Sequence, residues 1–116
     1  MSSNRPSKAL LVCPAKRSDV EEPLKAAGCE IIKVSDGETA VGRVRREMFD
    51  IAVLVSTGVA MDLMETVFNI KDIRASMQIV IVRDSHARRD NLAAIPDVRY
   101  CSAPELQSVV ISAHPK

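Results

Sequence analysis

Short runs of aliphatic and β-branched residues alternate along this chain with longer segments in which apolar positions recur every three or four residues. Ala9-Leu10-Leu11-Val12-Cys13, Glu30-Ile31-Ile32-Lys33-Val34, Asp50-Ile51-Ala52-Val53-Leu54-Val55, Gln78-Ile79-Val80-Ile81-Val82 and Val98-Arg99-Tyr100-Cys101 have the length and composition of strands. The third run is apolar on both faces after its first residue, as a central strand of a parallel sheet must be. Between the runs, Ser18-Asp19-Val20-Glu21 and Ser35-Asp36-Gly37-Glu38 have capping-box spacing and predict helix starts. Gly28 closes the first helix. Pro23, past the first turn, removes a helical hydrogen bond and argues for a start later than Ser18. Ala40, Val41, Val44 and Met48 keep helical spacing in the second, and Leu63, Val67, Ile70 and Ile73 in a third from about residue 62 to 75. Segments from Ser85 to about Ala94 and from Pro104 to about Ala113 predict two more. Strands alternating with helices make a parallel sheet with helices on both faces, an α/β three-layer sandwich with about five helices.

Composition narrows the partners. A chain of 116 residues, 47% of them hydrophobic, fits a single core. Residues 1–7 read as a polar N-terminal tail and 8–116 as one domain. The 16 Lys and Arg nearly cancel the 15 Asp and Glu, so no overall field favours nucleic acid or an anionic membrane. With Phe49, Phe68 and Tyr100 the only aromatics, the chain has no stacking platform for single-stranded nucleic acid. Cys13, Cys29 and Cys101 lie far apart and form no metal-ligand spacing, so reduced thiols and no bound metal are expected. No secretory leader and no apolar run of ~18 residues is present, and a cytoplasmic location is the expectation.

Particular residues then carry a resemblance. Ser-Asp-Gly-Glu-Thr-Ala at 35–40, Phe-Asp-Ile-Ala-Val-Leu-Val at 49–55, Met61-Asp62, and Tyr100 followed four residues later by Pro104 resemble the receiver domains of bacterial two-component response regulators, the CheY-like domains. The likeness runs from Lys8 to the end, with the first and fourth helical segments a few residues short. It implies a flavodoxin-like fold with strand order 2-1-3-4-5.

The resemblance also implies where chemistry should reside, and those positions are changed. Receivers hold magnesium with an acidic pair after the first strand; the matching residues are Cys13 and Pro14, which offer no carboxylate. The phosphate-accepting aspartate at the end of the third strand is matched by Val55, which has no nucleophilic oxygen. The Ser or Thr after the fourth strand is matched by Asp84, and the lysine before the last proline by Ala103. These departures predict a degenerate pseudo-receiver, not an enzyme and needing no cofactor, that binds another signalling protein or its own second copy. Tyr100 matches the family's mobile aromatic and, with Arg88, Arg89 and Asp90, marks the expected interface. A small-ligand site at the strand carboxyl ends, with an apolar pocket between Cys13 and Val55, is the alternative. The absence of a Gly-rich phosphate loop after the first strand disfavours nucleotide or flavin. An aspartate or Gly-x-Ser-x-Gly serine at a strand end, which a phosphatase or hydrolase of this topology needs, is missing.

Other chemistry-bearing residues have plainer readings. Cys13 packs more readily than it senses redox state, since no neighbouring cation in sequence lowers its pKa. Asp84 suits a helix start. His86 and His114 lack partners at ligand spacing, Ser56 and Thr57 are ordinary loop hydroxyls, and Arg43, Arg45, Arg46, Arg88 and Arg89 suit solvated surfaces near acids.

Overall fold

The computed structural model describes residues 7–13, 16–55, 60–83 and 98–113. Five strands, β1 (Ser7–Val12), β2 (Cys29–Val34), β3 (Ile51–Val55), β4 (Gln78–Val82) and β5 (Val98–Cys101), form one sheet. All neighbours are parallel, in the order β2-β1-β3-β4-β5. Four helices are seen among the described residues: α1 (Ser18–Ala26), α2 (Gly37–Arg46), α3 (Ala60–Ile73) and α4 (Leu106–Ala113). The helix expected over Ser85 to Ala94 lies outside the described residues.

Alternation along the strands builds two cores. Leu10, Val12, Ala52, Leu54, Ile79 and Ile81 point to one face, against Ala40 and Val44 of α2 and Leu63, Val67 and Ile70 of α3. Ala9, Leu11, Ile51, Val53, Val55, Val80 and Val82 point to the other, against Val20 and Leu24 of α1 and Leu106 and Val110 of α4. β3 is buried along its whole length because both of its faces are covered. This is the flavodoxin-like three-layer arrangement that the strand order requires.

The helix starts differ from the sequence expectation. The residue capping α1 is Arg17, without a side-chain capping bond, and Ser18 is already helical. Pro23 lies inside α1 and does not delay its start; burial of Val20 and Leu24 against the sheet holds the helix despite the missing amide bond. Gly28, at φ 88°, ends that turn as expected. At α2 the cap is Asp36, not Ser35: its carboxylate accepts the Thr39 amide at 2.7 Å. Met48 falls beyond α2 and is 68% exposed, so it does not join the core. A one-turn 3-10 segment, Ala103–Glu105, precedes α4, with a capping box in which the Ser102 amide donates to Glu105 Oε1 at 2.9 Å.

Candidate functional site

In an open parallel sheet the strand carboxyl ends are where loops from several strands converge. Here the ends of the central strands are apolar. Cys13 follows β1 directly, its amide donating to the Val34 carbonyl at 2.9 Å, and so extends the β1–β2 ladder by one residue. Val55 is in register with Val82, and Val82 with Cys101. Cys13, Val55 and Val82 are 2%, 4% and 0% exposed, and all belong to the core cluster on the α1/α4 face. Ala103 packs partly buried against the same cluster. Three of the five positions that sequence singles out, Cys13, Val55 and Ala103, are thus brought together. Pro14 and Asp84 lie outside the described residues.

The thiols whose titration is perturbed, Cys101 at this end and Cys29 at the opposite, amino end of β2, are poor nucleophiles. Burial, reinforced by the Glu105 charge, pushes the Cys101 thiol up to about 11. Burial and the Asp50 charge also raise Cys29. Cys13 is a buried packing residue, as expected for a small hydrophobe at a strand end.

Toward the β5 edge, sequence reading missed a functional candidate. β4 ends at Val82, so the first residue after the strand is Arg83, and Asp84 is one place further on. The Arg83 amide donates to the Cys101 carbonyl at 2.8 Å, and its guanidinium sits 5.0 Å from the centre of the Tyr100 ring. That is cation–π geometry. Tyr100 is itself half-buried, packed against the core on the α2/α3 face. The pair becomes legible only when β4 and β5 are set in register, Ile81 opposite Tyr100, because no local spacing joins residues 83 and 100. Arg88, Arg89 and Asp90, the other expected interface residues, lie outside the described residues, as do Ser56, Thr57, His86 and His114.

Cys13 borders a cleft of about 450 Å³ with Lys16, Lys33, Val34, Ser35, Thr39 and Arg43. Residues 14–15 and 56–59, which flank the expected apolar pocket between Cys13 and Val55, lie outside the described residues. A second groove runs between α2 and α3 and has acidic residues, Asp36, Glu38 and Glu65, among its walls. Among the described residues no three His, Cys, Asp or Glu side chains gather as a metal site would need, and no helix is long and apolar enough to cross a membrane.

No known family's sequence profile matches this chain, and no curated protein matches it by sequence. Solved structures do match. The receiver domain of a sensor histidine kinase from Pseudomonas aeruginosa, with a magnesium ion in its active site cleft, superposes with TM-score 0.76 at 19% identity, over 93% of this chain and 97% of that one. A chemotaxis response regulator of Vibrio cholerae gives 0.74 at 17% identity, covering 94% and 99%. A chain from a complex of a histidine kinase with a response regulator gives 0.75 at 21%, covering 94% and 99%. The fold is that of response-regulator receiver domains. The match in fold spans 93–94% of the chain at 17–21% sequence identity.

Proposed function

We propose that this receiver-fold domain works without phosphoryl transfer, as a protein-binding module in a signalling pathway. The observation that carries the reading is the apolar plug at the carboxyl ends of β1, β3 and β4. Phosphoryl transfer requires a nucleophile, a cation and charge stabilisation at one point. The magnesium held by the Pseudomonas receiver is a hard cation that takes oxygen ligands, and Cys13 and Val55 supply no side-chain oxygen where the likeness places the acidic groups. Cys13, Val55, Val82 and Cys101 are buried in one apolar cluster, where a charged ligand would lose its hydration without gaining a partner from these side chains. The domain is therefore no enzyme, and its cleft is held in one state.

Its partner is another signalling protein or a second copy of itself, docking on the β5 edge around Tyr100. A response regulator in complex with a histidine kinase is among the structures it resembles. The Arg83–Tyr100 pair favours this edge, since an arginine stacked on a half-buried aromatic joins two residue types enriched in interface hot spots. The test is incubation of the whole chain with acetyl phosphate and magnesium, read by intact mass. An unmodified mass is expected. A stoichiometric, acid-labile phosphate adduct would overturn the proposal and identify a working switch.

A further inference from the structure

The cleft beside Cys13 differs in character from the plug next to it. Lys16, Lys33 and Arg43 line it together with Ser35 and Thr39, the buried Cys13 and Val34 give it an apolar part, and no carboxylate is among its described lining residues. Lysine and arginine from three separate stretches of chain, the segment before α1, strand β2 and helix α2, converge there because β1 and β2 end side by side and α2 begins just beyond.

These cations are only partly neutralised. Lys33 Nζ lies 3.3 Å from Glu21 Oε2. Arg43 Nη1 pairs with Glu47, but the same carboxylate also takes Lys8 Nζ at 3.1 Å. Lys16 is exposed and has no ion pair among the described residues. Three cations, Lys16, Lys33 and Arg43, line the cleft, and their two carboxylate partners, Glu21 and Glu47, the second shared with Lys8, leave an excess of at least one positive charge there. The nearest acids of α2 are directed elsewhere: Asp36 and Glu38 line the α2/α3 groove, and the Asp36 carboxylate is engaged by the Thr39 amide and hydroxyl.

We propose that this cleft binds a small organic anion carrying a phosphate group. An arginine fork and two ammonium groups around one opening match a dianionic oxyanion, and charge-assisted bonds to it are the stronger kind. A volume of about 450 Å³ exceeds what inorganic phosphate fills and falls in the range of small-molecule sites. The apolar part then contacts the organic portion of the ligand. Because β2 and β5 are opposite edges of the sheet, an anion bound here leaves the Tyr100 edge open, and the domain holds ligand and protein partner at once.

The test uses the whole chain, labelled for proton–nitrogen correlation spectra, with ribose 5-phosphate and inorganic phosphate as probes, and ribose and matched chloride as controls. Saturable shifts at the amides of Lys16, Lys33, Ser35, Thr39 and Arg43 are expected, tighter for ribose 5-phosphate than for inorganic phosphate and absent with ribose. Loss of charge in Lys33→Gln/Arg43→Gln should weaken binding at least ~10-fold. Lys16→Gln, at a side chain with no ion pair among the described residues, serves if that pair fails to fold, and should weaken binding by a factor of ~3 or more. Non-saturating shifts, shifts shared equally with Arg45, Arg46 and Arg99, or affinities unchanged in the variants would overturn the proposal.

Discussion

At Val55 a single side chain stands for the difference between an ion site and a plug: it is 4% exposed and packs in one cluster with Cys13, Val53, Val80 and Val82. Val55→Asp places a carboxylate in that cluster, where burial favours the protonated form. Its folded pKa is raised above the unfolded one, so the penalty grows as pH rises. Thermal melts of Val55→Asp should show a loss of about 2 kcal/mol or more at pH 7 and a smaller one near pH 4. Equal losses at both pH values would show that the strand end is wetter than the packing implies. Surface carboxylates behave in the opposite sense. The Thr39 backbone amide holds Asp36 below its ordinary value, Arg43 and then Lys8 do the same for Glu47, and the Ser102 amide for Glu105. With folded values depressed, their stabilisation is complete above the unfolded carboxylate range and is lost as pH falls through the folded values. Urea midpoints should therefore hold steady down to about pH 5 and fall below it. Asp36→Asn combined with Glu105→Gln keeps cap geometry without the charge and should flatten that fall. These caps were legible in the sequence to different degrees. Ser35 and Asp36 are both good caps and adjacent, so spacing alone could not choose between them, whereas Ser102 and Glu105 had the capping-box interval beside a proline and could have been read directly.

Among elements, the contact of α2 with α3 depends on the absence of one side chain. A Cβ at Gly37 would overlap the Thr66 hydroxyl, with Thr66 Cβ at 3.2 Å and Cγ2 at 3.4 Å closing the way for a simple rotation. Thr66 is 7% exposed and β-branched, so it yields little. Gly37→Ala should cost about 1–3 kcal/mol by chemical denaturation. Removing the hydroxyl as well, in Gly37→Ala/Thr66→Ala, should recover part of that loss relative to Thr66→Ala alone, a coupling of about 1 kcal/mol. Additive losses would mean that the two helices adjust independently. Further down, Arg74 Nη2 donates to the Val44 carbonyl at 3.2 Å and ties the ends of the two helices. None of this was visible in sequence, because Gly37 reads locally as a helix-start residue and its true constraint comes from a helix nearly thirty positions away. The strands were the opposite case. β4 begins and ends where its apolar run does, since a buried parallel strand leaves a continuous hydrophobic signature that needs no partner to be recognised.

For the whole molecule, strand order followed from the resemblance of the motifs at 35–40 and 49–55, and the sheet has that order. What periodicity could not supply was lateral position: which residue after β4 meets Tyr100, and which cations share a cleft. Arg83 and the group of Lys16, Lys33 and Arg43 emerge only when β1, β2, β4 and β5 are laid side by side. The molecule that results has a receiver frame, an apolar seal at its central strand ends, a basic cleft toward β2 and an aromatic edge at β5. That this frame works without ion chemistry is the proposal on which everything else turns. The most direct test is to titrate the whole chain with magnesium, then beryllofluoride, and follow the melting temperature and the amide resonances of Cys13 and Val55. The account predicts no saturable change in either. A magnesium-dependent rise in melting temperature, with Cys13 and Val55 shifting together, would contradict it.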